Sequence, residues 1–292
     1  MSLSLFLVQL VNGVEYGLLL FLVASGLTLV FGVLGVLNFA HGSFYMLGAY
    51  LAWWLSARTG SLLLGVLIGV PAMVLIGLVV ERLAIARLYS RDHLSQVLLT
   101  YGLVLLFNEL QSVLWGNDVH GVNTPAALSW TMRLGETQTW PAWRAFTSFA
   151  CICIAIAMRQ VVLKTRFGMR VRAGASNAEM VEALGIDVRR LFSTLFAAGT
   201  ALAGLAGMLA APLTTVYPGM GENVLILSFV VVVIGGIGSI KGAFFGALLV
   251  GLADTFGKVL LPGFASAMVY AVMAAILLWR PRGLLGAAAE GR

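Results

Sequence analysis

The run YGLLLFLVASGLTLVFGVLGVLNFA, residues 16–40, decides the fold, because it carries no charge over 25 positions. A helix rises about 1.5 Å per residue and needs near 20 apolar residues to cross a hydrocarbon layer of about 30 Å, so this run alone suffices for one crossing. The pattern recurs along the chain. Residues 42–57, 59–80, 191–221, 223–240 and 259–279 are uncharged, Glu109 alone interrupts 94–114, and Arg159 alone interrupts 145–163. Between Gly242 and Lys258 only Asp254 is charged. These runs predict an all-α polytopic transmembrane bundle of about eight or nine membrane elements, near 8–34, 40–57, 62–80, 94–114, 145–163, 191–211, 223–240, 242–258 and 262–279. They form one transmembrane domain, 1–292.

Composition excludes the other classes. Of 292 residues 60% are hydrophobic and 10% charged, whereas a water-facing surface needs roughly a quarter of the chain charged. Disorder fails on the same numbers. Cys151 and Cys153 lie in one neutral segment and supply no disulfide framework. No Lys or Arg precedes the first apolar run and no cleavage site follows it, so that run is expected to be retained.

The polar linkers fix an orientation. Residues 81–93, 159–190, Lys241 and the tail after Trp279 hold fourteen of the eighteen Lys and Arg, among them Arg166, Arg170, Arg172, Arg189, Arg190, Arg280, Arg282 and Arg292. Cytoplasmic linkers carry the excess of basic residues, so loop 159–190 and the C-terminus are expected in the cytoplasm, with the N-terminus outside if the count is nine. A charge of +6 that faces anionic lipid needs no nucleic acid.

Two linkers are long. The exterior one, near 115–143, carries Trp115, Trp130, Trp140 and Trp143, and reads as an interfacial aromatic belt with a lid. The interior one, 165–190, is predicted to hold a short helix from Ala178, capped by Ser176 or Asn177, with Glu179 and Glu182 near its positive end and Gly185 just past it. A helix that short persists only when packed on the membrane domain or on a partner, as a coupling element would be.

Within the bundle, Gly13 and Gly17, Gly199, Ala203 and Gly207, and Gly242 and Gly246 recur at helical spacing and predict close helix packing. Residues 33–44 resemble residues 233–244, with Gly35, Gly42 and Phe44 recurring at an offset of 200. Both copies predict a broken helix, near 35–42 and 235–242, starting on the same side. Irregular backbone in a membrane is tolerated only against protein or an aqueous cavity, which makes Asn38, His41, Gly42, Gly235, Gly238 and Gly242 candidates for a translocation path or for the broken ends. Asn38 and His41 are read as caps of those ends in preference to substrate contacts. Glu15 and Glu222 are expected to reach headgroups, Glu109 to face protein or the exterior end near Trp115, and Asp254 to pair with Lys258 one turn on. His41, His93 and His120 form no metal spacing, and no nucleotide-binding or catalytic motif is present. The chain is therefore not expected to be an enzyme or to hold a cofactor, and energy for uphill movement must come from an ion gradient or another polypeptide.

Asn38–Phe39–Ala40–His41–Gly42 followed by Tyr45–Met46–Leu47–Gly48–Ala49–Tyr50 resembles the permeases of branched-chain amino acid ABC transporters, of the LivH type. The resemblance runs on through Glu81–Arg82, Arg166–Phe167–Gly168–Met169–Arg170, Leu184–Gly185–Ile186, Gly204–Leu205–Ala206–Gly207 and Gly235–Gly236–Ile237–Gly238–Ser239–Ile240–Lys241–Gly242 to Arg280–Pro281–Arg282–Gly283–Leu284, nearly the whole chain. It implies a multi-pass subunit of a bacterial plasma membrane, paired with a second permease of the LivM type. It also implies two cytoplasmic ATPases that hold ATP and Mg, and an external binding protein that delivers the amino acid. Importers of this class carry an interior EAA…G loop. Glu179 and Gly185 match its Glu and Gly at the six-residue offset, Met180 and Val181 replace both alanines, and Glu179, Glu182, Ala183 and Gly185 become the candidate contacts to the ATPases. Two alternatives stay open: a stand-alone ion-coupled transporter or channel using Glu109, Asp254 and His41, and urea or short amides as the solute.

Overall fold

The computed structural model describes residues 3–89, 91–133 and 139–286 and places the uncharged runs in helices. In chain order these are α1 Leu3–Leu34, α2 His41–Thr59, α3 Leu62–Leu83, α4 His93–Trp115, α5 Ala142–Lys164, α6 Arg166–Ser176, α7 Ala178–Ala183, α8 Val188–Ala210, α9 Met220–Gly235, α10 Ile240–Leu260 and α11 Ala265–Trp279. Arg292 of the basic tail lies outside the described residues. One small departure from an all-helical chain is a hairpin that pairs Thr131–Arg133 with Thr139–Pro141.

Among the described residues seven helical spans are long and apolar enough to cross a membrane: α1, α3 with the turn that follows it, α4, α5, α8, α10, and α11 together with the helical turn Pro262–Phe264 that precedes it. The remaining two elements of the expected nine, α2 and α9, fall short for different reasons. The 16 residues of α9 reach only about 24 Å, and α2 carries His41, Ser43, Tyr45 and Tyr50 on its buried stretch. Both are held by the bundle instead of by lipid. Every residue from His41 to Tyr50 is buried, as is every residue of α1 from Gly17 to Val30. Leu67 of α3, Leu98 of α4, Phe149 of α5 and Leu278 of α11 are more than 60% exposed and form the apolar periphery.

Small residues set how close the inner helices come. A methyl on Gly17 would stand 2.8 Å from the Ala247 carbonyl oxygen of α10, one on Gly199 of α8 3.1 Å from that of Gly26, and one on Gly246 2.8 Å from that of Val231 in α9. These are the ladders read from the spacing, now assigned to partners. Lipid gives little drive for helix association, so such contacts carry much of the packing.

Contacts between linkers sort the helix ends into two groups. At one end, His120 pairs with Val216 and stacks on Trp53 of α2 at 3.6 Å, while Trp140 donates to Asn12 at 3.0 Å and Trp143 to the Leu209 carbonyl at 3.2 Å. At the other end, Gly32 lies against Gly238, Thr100 donates to the Leu37 carbonyl at 3.2 Å, and the backbone of Leu284 and Leu285 bonds to Ile234 and Gly235. The nine elements therefore alternate in direction, and both Gly-rich breaks open from the same end. The expected aromatic belt is not what the tryptophans form: Trp140 and Trp143 are buried, Trp115 stacks on Tyr50, and of the four Trp130 alone is largely exposed. Each of the buried pair has a hydrogen-bond partner inside the bundle, and that takes it out of the interface.

Gly17→Leu should force α1 and α10 apart and lower stability by about 1–3 kcal/mol, the usual range for overpacking. Gly102→Leu, at a position with no atom within 4 Å of the added carbon, should leave the thermal midpoint in detergent unchanged; equal losses in the two variants would refute the packing assignment.

Candidate functional site

The break at 35–40 is not a surface turn. Gly35 takes φ +66° and ends α1, and the chain then doubles back into the bundle, so that the His41 Nε2–H donates to the Val23 carbonyl at 3.0 Å. Val23 lies 11 residues before the end of α1, about 16 Å along its axis. Thus α2 starts at mid-depth, and Asn38 is fully buried just before it. Both polar atoms of the Asn38 amide, and Nδ1 of His41, lack a partner among the described residues. Neither side chain caps α2, which begins after Ala40 with no side-chain cap; His41 braces α1 instead.

The start of α9 reaches the same depth from the opposite side. Gly42 and Gly221 approach so closely that a methyl on either would meet the other's backbone. Two helix N-termini therefore converge in the middle of the protein, each preceded by irregular chain. Gly235 and Gly242 form a second contact of this kind, between α9 and α10, and Gly238 sits exposed in the turn between them at φ +78°. The structure thus divides the six candidates. Asn38, His41 and Gly42 lie at mid-depth, whereas Gly235, Gly238 and Gly242 lie at the end of the bundle where α1 also stops.

Above the convergence point, on the side of the long 116–141 linker, opens a cavity of about 490 Å3. Its deep wall is mostly apolar, formed by Leu19, Leu20 and Val23 of α1 with Val224 of α9, and the buried Tyr45 of α2 adds a phenol to it. Nearer its mouth stand two ion pairs, Glu15 with Arg144 at 2.8 Å and Asp254 with Lys258 at 2.5 Å. Lys258 also lies over the Tyr16 ring at 5.6 Å. The Asp254–Lys258 pair is the one read from the i, i+4 spacing. Glu15 is a correction: it is 2% exposed and does not reach a headgroup, because Arg144, at the start of α5, descends to meet it. Asn12 joins them by accepting from Arg144 at 3.0 Å. A pairing across 129 residues leaves no local pattern, and the available signal was an isolated carboxylate in one apolar run and an isolated Arg in another. Glu222 is exposed and accepts from Asn108 at 3.1 Å, and Glu109 is exposed on the outer surface of α4.

At the opposite end, α6 and α7 form an elbow. Thr165 caps α6 by accepting from the Gly168 N–H at 3.1 Å, and Asn177 caps α7 by accepting from the Met180 N–H at 2.9 Å. Gly185, at φ +80°, ends α7. Val181 is the buried anchor, while Glu179, Glu182 and Ala183 face outward together with Met180 at 58% and Leu184 at 73% exposure. Next to the elbow, Glu81 at the end of α3 is 2% exposed and accepts from Tyr89 at 2.7 Å and from Ser193 of α8 at 2.6 Å. Burial and the bond to Glu81 raise the Tyr89 pKa above its ordinary value, so that the phenol stays a donor. This carboxylate ties α3, the 84–92 linker and α8 together.

A family model described as branched-chain amino acid transport system / permease component matches residues 9–279, and the chain belongs to that family. It is 30% identical to the high-affinity branched-chain amino acid transport system permease protein BraD of Pseudomonas aeruginosa, over 96% of both chains. The corresponding LivH protein of Escherichia coli is 29% identical, again over 96% of both. The LivM permease of Escherichia coli is 25% identical, over 89% of this chain and 66% of LivM. No solved structure matches.

Glu81→Ala should leave Tyr89 without its acceptor and Ser193 with only the Arg189 carbonyl, and should destabilise the protein by about 1–3 kcal/mol, with faster proteolysis in the 84–92 linker. Glu81→Gln, which keeps an acceptor oxygen, should recover part of the loss. Equal proteolysis rates for wild type and Glu81→Ala would remove the carboxylate from this role.

Proposed function

We propose that the chain is one of two membrane subunits of an ATP-driven importer that moves branched-chain or related amino acids into a bacterial cell. It sits in the plasma membrane with loop 159–190 and the C-terminus in the cytoplasm. The second permease is a homologue of the LivM type, two cytoplasmic ATPases supply the energy with ATP and Mg, and an external binding protein hands over the solute. The chain itself carries out no chemistry.

The α6–α7 elbow is the observation that carries this reading. It exposes Met180 and Leu184, flanked by Arg170, Arg172, Arg189 and Arg190, at the end of the bundle opposite the polar cavity. Apolar side chains held out by a capped, anchored helix match a surface that a second protein covers. In this reading Glu179, Glu182, Ala183 and Gly185 lie in the contact with the ATPases, and the convergence of α2 and α9 at Gly42 and Gly221 is the barrier in the path. The excess of basic residues at the elbow's end supports a cytoplasmic placement.

Met180→Asp together with Leu184→Asp should leave membrane insertion and thermal stability unchanged, since neither side chain contributes to the buried core, but should abolish co-purification of the ATPases and amino-acid uptake. Retention of both would remove α7 from the contact. A single cysteine at Arg170 should resist a membrane-impermeant maleimide in intact cells and react after lysis, whereas one at Asn117 should react in intact cells; the reverse pattern would invert the orientation.

A further inference from the structure

The cavity above Gly42 and Gly221 has a charge arrangement that neither the family nor the proposed function assigns. Its four ionised groups come from three different helices, α1, α5 and α10, and sum to zero. They form two pairs on one cavity, Arg144 with Glu15 and Lys258 with Asp254, and Lys258 also lies over the Tyr16 ring. Glu15 accepts from Arg144 through Oε2, while its Oε1 is buried and has no partner among the described residues. Arg144 keeps 30% and Lys258 63% of its side-chain surface open, so both cations retain free N–H donors. Beneath these groups the wall turns mostly apolar, with the Tyr45 ring beside Leu19, Leu20 and Val23.

The geometry points to a binding site for a zwitterion with an aliphatic side chain, held by Glu15, Arg144, Asp254 and Lys258. The solute's ammonium lies between the two carboxylates. Its carboxylate lies between the two cations, and its side chain points down against Leu19, Leu20, Val23 and Val224. A charged solute of either sign would bring an uncompensated charge into a partly desolvated, net-neutral site, and burying an unpaired charge is strongly unfavourable. An uncharged amide would gain nothing from displacing two existing ion pairs. A net-neutral solute with separated charges extends both pairs without breaking either, and the charge-assisted hydrogen bonds so formed are the strong kind. The site thus selects amino acids over their amides, over the corresponding carboxylic acids, and over urea. This rests on the importer reading and deepens it by naming where the solute is held.

Thr214 lies on the cavity wall and is exposed, so Thr214→Cys supplies a reporter in a background carrying Cys151→Ala and Cys153→Ala. Membranes bearing the complete transporter without its binding protein are treated with an impermeant maleimide, and the labelling rate is read. Leucine at millimolar concentration should slow labelling, whereas leucinamide, 4-methylpentanoate and urea should not. Arg144→Gln and Glu15→Gln should each raise the leucine concentration needed for half-protection by about ten- to a hundredfold, the loss expected for one charge-assisted bond, and Arg144→Lys should recover most of it. The labelling rate without solute shows whether each variant still folds with an open cavity. Equal protection by leucinamide or urea overturns the proposal, as does unchanged protection in both Arg144→Gln and Glu15→Gln. Import of leucine by the transporter and binding protein with no protection at the introduced thiol overturns the site alone. Protection without ATP-dependent import overturns the importer reading and leaves the site standing.

Discussion

Backbone inside a lipid-embedded bundle has no water to bond to, so any departure from helix must be enclosed by protein, and the glycine contacts at mid-depth meet that requirement here. The 35–40 segment enters the interior, and α2 begins beside the Val23 carbonyl of α1. Enclosure of that start depends on α1, α8 and α9 coming within backbone distance. Gly26 against Gly199 and Gly42 against Gly221 make the approach possible, because a methyl at these positions would stand at or inside van der Waals contact with the opposing chain. Were these helices spaced by ordinary side chains, Asn38 and the start of α2 would face voids, and the unsatisfied amide would be far more costly.

That constraint explains why so much is buried in so few elements. α1 and α2 take the centre and surrender their lipid contact, which frees them to carry Glu15, Asn38, His41 and Tyr45. The outer helices α3, α4, α5 and α11 take the lipid-facing role and expose large apolar side chains such as Leu67, Leu98, Phe149 and Leu278, with Glu109 of α4 and Arg159 of α5 as charged exceptions. Polar groups in a membrane protein are found where a second layer of helices hides them. The Glu15–Arg144 pair follows the same rule, because Arg144 enters from α5 beneath the Trp130–Trp140 region, with Asn12 as a third partner.

Features set by spacing along one helix were legible in the sequence. The lengths of α1, α3, α4, α5, α8 and α10, the glycine ladders, the Asn177 cap, the Gly185 stop and the Asp254–Lys258 pair all follow from periodicity or from capping chemistry. Features set by contacts between distant segments were not. Hydropathy measures how a residue partitions into lipid, so it is silent on how deep α2 begins, and it assigned Glu15 to the headgroups although the partner lies 129 residues away. The same limit placed Trp140 and Trp143 at the interface, where their amphipathic rings would be at home, whereas each spends its N–H on a bond inside the protein.

The elbow and the mid-depth contact lie at different levels of the bundle, yet one continuous element joins them. Asp187 caps α8 directly after α7, accepting from the Arg190 N–H at 3.0 Å, and α8 then runs unbroken to Ala210. Along its length it meets Glu81 through Ser193, α1 through Gly199, α2 through Gly204 and Gly207, and finally the Trp143 ring through the Leu209 carbonyl. Packed helices with glycine-level contacts do not slide independently, since interiors this dense have discrete arrangements and little compressibility. The elbow is thus tied through α8 to α2, whose start lies at the level where Gly42 meets Gly221.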